Sequence, residues 1–313
     1  MAAVQADSQS RSGGRFLREK GMQKWRRQET VTAYLFSLPT IILLLMFSLG
    51  PAVYAFFLSG VSWNLLDQMH WIGLHNYAAI FRMPLFWTAV KNSFIFAAVV
   101  MPVQTIIAMI FAVIMNQHLP ARPLFRLAFF FPSISSSAVT SLMFMWIFNK
   151  LGLLNGFLNW FGISGPDWIG DPRFALSAIM ILNIWSTSGY FMVVFLAGLQ
   201  SIPQNFYEAA AIDGASAFQR FLRITVPLLR PSTFFIVVMG MIGTLQMFDQ
   251  SFIISGGTGG PLNSTMTMAL LIYEEIFSYG NVGYGAAITV FLFVVVLLLT
   301  LLTNRWLGKP IEY

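Results

Sequence analysis

The stretch Ala286-Ala287-Ile288-Thr289-Val290-Phe291-Leu292-Phe293-Val294-Val295-Val296-Leu297-Leu298-Leu299-Thr300-Leu301-Leu302-Thr303 runs for eighteen residues without a charged side chain. As a helix rising about 1.5 Å per residue it is about 27 Å long, close to the roughly 30 Å hydrocarbon core of a bilayer. Its polar side chains are Thr289, Thr300 and Thr303 alone, so such a helix is expected to be surrounded by lipid or by other helices. Five more long apolar windows with few charges precede it, at 33–58, 94–115, 127–148, 175–199 and 232–254. Together they predict an all-α polytopic membrane protein with six transmembrane helices.

Composition agrees. Charged residues make up 10% of the 313 and hydrophobic ones 57%, with a mean hydropathy of +0.71, whereas a soluble domain is about a quarter charged. A soluble core able to bury six such runs is far larger than a domain of this length encloses. There is no cysteine, which excludes disulfides and thiolate chemistry. The first window is too long for the hydrophobic region of a signal peptide and is expected to stay as an anchor.

Orientation follows from lysine and arginine, which are retained in short cytoplasmic loops. Arg11, Arg15, Arg18, Lys20, Lys24, Arg26 and Arg27 precede the first span. Arg122 and Arg126 lie between the second and third, Arg220, Arg223 and Arg230 between the fourth and fifth, and Arg305 and Lys309 after the sixth. The other side holds Arg82, Lys91, Lys150 and Arg173. The split is fourteen to four, accounts for all 18 basic residues, and puts both termini inside. The expected organisation is a basic cytoplasmic tail over 1–31, a permease domain over 32–304 and a short cytoplasmic tail over 305–313. Within the first tail, Phe16, Leu17 and Trp25 alternate with cations, a pattern that fits an interfacial helix on anionic lipid or a disordered topogenic segment. Pro39, Pro51, Pro102 and Pro132 fall in or beside spans as hinges or as packing kinks.

The long inside loop, 201–230, reads as an elbow. Pro203 starts a helix, Glu208-Ala209-Ala210-Ala211 carries it, Gly214 stops it, and a second short helix leads to Pro227. Phe206, Tyr207, Phe218, Phe221 and Leu222 give it apolar faces, which need a partner to dock against. This stretch resembles the Glu-Ala-Ala loop of permease subunits from binding-protein-dependent ABC importers. Glu208, Ala209, Ala210, Gly214, Ile224 and Pro227 stand in the motif's register, with Val226 in place of leucine. The resemblance implies that the elbow is the coupling helix, seated on a separate ATPase subunit, with Tyr207 and Asp213 beside the matching residues.

A second resemblance points to the sugar-uptake branch, the maltose and glycerol-phosphate type. It rests on Trp71-Ile72-Gly73-Leu74-His75-Asn76-Tyr77, Phe86-Trp87 and Asn92, expected in an outside loop, and on Phe248-Asp249-Gln250, Gly259-Gly260-Pro261, Thr265, Tyr273, Phe277 and Gly283-Tyr284. The extra Gly256-Gly257-Thr258 lengthens that last loop.

No phosphate-binding Gly-x-x-x-x-Gly-Lys-Ser/Thr loop occurs, so ATP and Mg are expected on partner chains. His70, His75 and His118 have no metal-ligand or triad spacing, and neither a catalytic nor a metal site is expected. Polar side chains within spans mark a solute path, since lipid penalises them. Asn183, Trp185 and Tyr190 in the fourth span, with Gln246, Asp249 and Gln250 in the fifth, offer amides, a carboxylate and aromatic faces suited to a sugar. Asp249 reads equally as a sugar ligand or as a structural cap. The chain is thus expected in a bacterial cytoplasmic membrane. There it pairs with a homologous permease, two ATPases and an extracytoplasmic solute-binding protein, and passes a sugar, oligosaccharide or polyol. Glycerol 3-phosphate is the nearest alternative solute. An ion-driven secondary transporter is the rival class, disfavoured by a single intramembrane acid and no inverted repeat.

Overall fold

The computed structural model describes residues 29–30, 32–117 and 120–308. The basic tail, His118 and Lys309, and with them most of 1–31 and the end of 305–313, lie outside the described residues. Among the described residues, five helices are long and apolar enough to cross a membrane: Thr32–Ser59, Pro84–Asn116, Ala175–Ser201, Arg230–Ser255 and Val282–Leu307. A bent pair, Arg122–Ile134 and Ser137–Ile147, completes the set of six.

The chain divides into two compact units between Phe57 and Leu58. The first is carried by the first span, which widens into a π-helical turn at Leu45–Leu49, where the Gly50 N–H donates to the Leu45 carbonyl. Pro51 follows directly, and the wide turn offsets the ring from the carbonyl it would otherwise strike.

The remaining spans belong to the second unit. The second and fourth lie along one another through small residues: Ala108 and Ala112, four apart on one face and wholly buried, share a cluster with Phe191, Met192 and Phe195. The second span is longer than expected. It starts at Pro84, in a position where a missing N–H costs nothing, so Phe86, Trp87 and Asn92 sit on its first turns rather than in a loop.

Two spans expected as continuous helices are interrupted. The third, read as one helix over 127–148, is two halves meeting at 99°, of 13 and 11 residues, each too short to cross alone. Pro132 removes a donor, and Ser135 and Ser136 take extended backbone with ψ of 146° and 132°. The Ser133 and Ser135 hydroxyls donate to the Phe130 and Phe131 carbonyls at 2.7 and 3.1 Å, which satisfies groups near the break. The fifth span is helical over Arg230–Leu245, opens at 246–248 and resumes at Asp249–Ser255. No proline causes this. The Thr267 hydroxyl donates to the Met247 carbonyl at 2.9 Å, giving the opened backbone a partner from the following loop.

That loop is stitched to the second span at one end of the unit. The Asn92 amide donates to the Asn263 and Met266 carbonyls, both at 2.9 Å, and the Met268 N–H donates to Ser93 Oγ. Asn76, almost wholly buried, donates to the carbonyls of Ser59 and Val61. Gly283 passes so close to the Val61 carbonyl that a Cβ would overlap it. At the opposite end, an Arg230 guanidinium donates to the Trp306 carbonyl, joining the start of the fifth span to the end of the sixth.

Candidate functional site

The elbow between the fourth and fifth spans is a helix at Gln204–Ile212 and a second at Ala217–Arg220. The first ends in a Schellman motif: the Ala215 N–H donates to the Ala210 carbonyl at 2.9 Å and the Gly214 N–H to Ala211 at 3.1 Å. Gly214 has φ +77, and nothing lies within 4 Å of where its Cβ would be. Glycine is therefore required by backbone angle and not by crowding. The second helix opens with a capping box between Ser216 and Gln219. Pro227 does not end it, as was expected. A π-helical turn at Phe221–Thr225 carries the helix past the proline into Val226–Leu228, the device already seen before Pro51.

Tyr207 joins the two arms, its hydroxyl 2.9 Å from that of Thr225, which is buried. Ile224 is partly buried, while Glu208, Ala209, Asp213, Gly214 and Pro227 are exposed and Ala210 is partly so. Ile212, Phe218 and Leu222 are 87%, 68% and 48% exposed. So large an apolar surface beside exposed Glu208 and Asp213 has the character of a docking face.

The six residues expected along a solute path fall into two groups. Ser137, the first helical residue after the break in the third span, meets the opened backbone of the fifth in a polar cavity of about 220 Å³. Asn183, Gln246, Asp249 and Gln250 line it. Asn183 and Gln250 are buried, and the Asn183 amide donates to Gln250 Oε1 at 3.0 Å. Gln246 and Asp249 are exposed. Asp249 opens the Asp249–Ser255 helix, where a carboxylate is favoured by the helix dipole. It makes no hydrogen bond or ion pair among the described residues, so its oxygens are free to accept. The lining thus combines amides, a hydroxyl and one carboxylate with no cation.

Tyr190 shares the Asn183 face, seven residues or about 10 Å further along the helix; it is exposed, with its ring 5.4 Å from Phe191. Trp185 lies about 200° around the helix from Asn183. It lines a separate apolar groove of about 410 Å³ with Phe129, Pro132 and Ile181, its ring 5.2 Å from Phe144. The structure therefore brings four of the six residues to one cavity and sets Tyr190 and Trp185 apart from it.

Two participants were not singled out in the sequence. Ser137 owes its place to the break. Gln104, 1% exposed, accepts from Thr187 Oγ1 at 2.6 Å, and Gly240 lets its amide approach, since a Cβ there would lie 2.7 Å from Nε2. The Asn183 carbonyl lies 2.7 Å from the same Thr187 hydroxyl, whose single proton is shared between the two acceptors. A polar network thus crosses from the second span through the fourth to the cavity. A lone amide inside the apolar window 94–115 was the signal available for Gln104.

In comparison with known proteins, a family model described as the inner membrane component of binding-protein-dependent transport systems matches residues 104–311. A probable ABC transporter permease protein of Bacillus subtilis is 35% identical over 92% of this chain and 94% of its own length. A lactose transport system permease protein of Rhizobium radiobacter is 35% identical over 89% and 93%. A trehalose/maltose transport system permease protein of Thermococcus litoralis is 34% identical over 89% and 94%. A chain of a bacterial ABC transporter involved in the import of the acidic polysaccharide alginate shares the fold, with a TM-score of 0.80, 22% identity, and 93% of this chain and 100% of that one covered.

Proposed function

The chain belongs to the family of binding-protein-dependent transport system inner membrane components, and on that premise we propose that it is the permease subunit of an ATP-driven importer for a neutral sugar, oligosaccharide or polyol. Family membership makes it a multi-pass transport subunit working with a solute-binding protein, and it sets the ion-driven carrier aside. The observation that carries the solute class is the cavity between the two broken spans. Its amides, hydroxyl and carboxylate suit an array of sugar hydroxyls, and it offers no cation to a phosphate ester. Relatives named for lactose, trehalose/maltose and arabinooligosaccharide transport support the same class.

In this reading a homologous permease supplies the other half of the path, and two ATPase subunits that hold ATP and Mg dock at the elbow. Closure of the ATPases displaces Gln204–Ile212, and the arm held by Tyr207 and Thr225 passes the movement to the fifth span, which begins two residues after Leu228. Glu208 and Asp213 present charge to the ATPase, while Ile212 and Phe218 seat in its surface. The basic-residue split supports the elbow end as cytoplasmic, with both termini inside and the loop 256–267 outside. The test is ATP hydrolysis by the reconstituted complex with its binding protein, offered neutral sugars, polyols and glycerol 3-phosphate in turn. A neutral solute is expected to stimulate several-fold. Stimulation by glycerol 3-phosphate alone would overturn the assignment.

A further inference from the structure

At the end of the second unit that carries the elbow, the first half of the third span and the fourth span leave a cavity of about 600 Å³ between them. Arg122 and Arg126, four apart on one helix face, line its mouth, and Leu127, Phe130 and Val193 line the rest. Both arginines are partly buried, and the Nε of each is enclosed without a partner. Neither side chain makes an ion pair or hydrogen bond among the described residues, and no carboxylate lines the cavity. Two like charges at this spacing repel, and partly buried arginines whose Nε atoms are enclosed favour an anion beside them.

The same cavity indicates what carries that anion. Phe130 lies eight residues beyond Arg122, about 12 Å along the helix axis, so the lining changes from cationic to apolar within one ligand's length. A free phosphate would satisfy the arginines and leave the apolar floor empty. We propose that this is a binding site for an anionic phospholipid of the cytoplasmic leaflet, with its phosphate between Arg122 and Arg126 and an acyl chain along Leu127, Phe130 and Val193. Basic mouths of this kind on the cytoplasmic side suit anionic headgroups, and arginine matches phosphate oxygens in a fork. The site lies on the part of the third span leading to its break at Ser135–Ser136, so an occupied lipid braces the half-helix that ends at the solute cavity.

The inference rests on the orientation proposed above. Cysteine labelling reports on that orientation alone, whereas lipid preference is read on the purified complex and does not depend on which leaflet is which. The experiment is native mass spectrometry of the purified transporter, with its partner chains, incubated with phosphatidylglycerol or phosphatidylcholine and then with inorganic phosphate as competitor. The wild type is expected to retain phosphatidylglycerol about tenfold more than phosphatidylcholine. Arg122→Gln with Arg126→Gln should abolish that preference and leave phosphatidylcholine retention unchanged. If the double variant fails to assemble, each single change carries the test, with a several-fold loss of preference expected in both. Equal retention of the two lipids by the wild type, an undiminished preference in the variants, or full displacement by inorganic phosphate would each overturn the proposal. The last would mark a phosphate site, and the first a surface covered by a partner subunit.

Discussion

Replacing Gly214 isolates the backbone requirement of the elbow from every other contribution. A Cβ at this position meets nothing within 4 Å, and φ is +77, so a substitution costs only the energy of holding an L-residue in the left-handed region. That cost is about 1 kcal/mol for alanine, less for asparagine, and about 2 kcal/mol or more for a β-branched residue. The Ala215-to-Ala210 and Gly214-to-Ala211 hydrogen bonds close the motif and open when it does. Since 1.4 kcal/mol is tenfold, local opening should rise roughly fivefold in Gly214→Ala and about thirtyfold in Gly214→Val, with Gly214→Asn nearest wild type. Hydrogen exchange at the Ala215 amide reads this directly, and ATP hydrolysis stimulated by the loaded binding protein reads its consequence for coupling. The variants should still reach the membrane, because Gly214 packs against nothing. If Gly214→Val exchanged like the wild type and kept full stimulation, the left-handed cap would have no part in coupling. A loss in Gly214→Asn as large as in Gly214→Val would show that something other than backbone angle is at work.

Asp249→Asn should keep assembly and basal ATPase activity but lower transport several-fold, since one acceptor becomes a donor; an assembled yield that falls instead would make Asp249 a structural cap, and no change in either would remove it from the path. Cysteine introduced at exposed Leu262 should react with an impermeant maleimide in spheroplasts, and cysteine at exposed Ile212 only once the membrane is opened; the reverse pattern would invert the topology. Glu274, in the helical segment between the fifth and sixth spans, has its carboxyl pKa raised above the ordinary 4.5, first by burial and then by the charge of Glu275. The native state therefore holds this proton more tightly than the unfolded chain, so the stabilisation is complete below 4.5 and is lost as pH rises through the raised value. Glu274→Gln should flatten the fall in thermal stability above pH 4.5, and identical slopes in variant and wild type would refute this.

How far the sequence could be read depends on what each feature costs to encode. The apolar windows that announce spans one, four and six need eighteen or more residues without charge, and hydropathy records them. The elbow is legible because a helix start and a left-handed stop need particular residues at fixed spacing, here Pro203 and Gly214 on either side of Glu208-Ala209-Ala210-Ala211, whereas the capping box of Ser216 and Gln219 is visible only in the structure. The start of the second span escaped because Lys91 and Asn92 dilute the hydropathy of its first turns, although Pro84 marks a helix start. The break at 246–248 left no comparable trace. Neither Gln246, Met247 nor Phe248 disfavours a helix enough to end one, and the partner for the opened backbone is Thr267, twenty residues away.

The two interruptions also account for why the polar cavity lies where it does. In hydrocarbon every backbone group must find a partner, so a span can open only where protein or a water-filled cavity satisfies the freed groups. The third and fifth spans open at positions that meet, with Ser137 on one side, Gln246 and Asp249 on the other, and Asn183 of the unbroken fourth span between them. Opening either helix alone would strand its amides and carbonyls in lipid, whereas opening both together creates one shared polar volume. The charge and amide groups that penalise a continuous span therefore become tolerable at a single depth. The Ser137–Ile147 and Asp249–Ser255 helices pack on one another, and the buried Asn183–Gln250 hydrogen bond ties the second of them to the unbroken fourth span, so the shared polar volume is held by side chains from both broken spans and from the span between them.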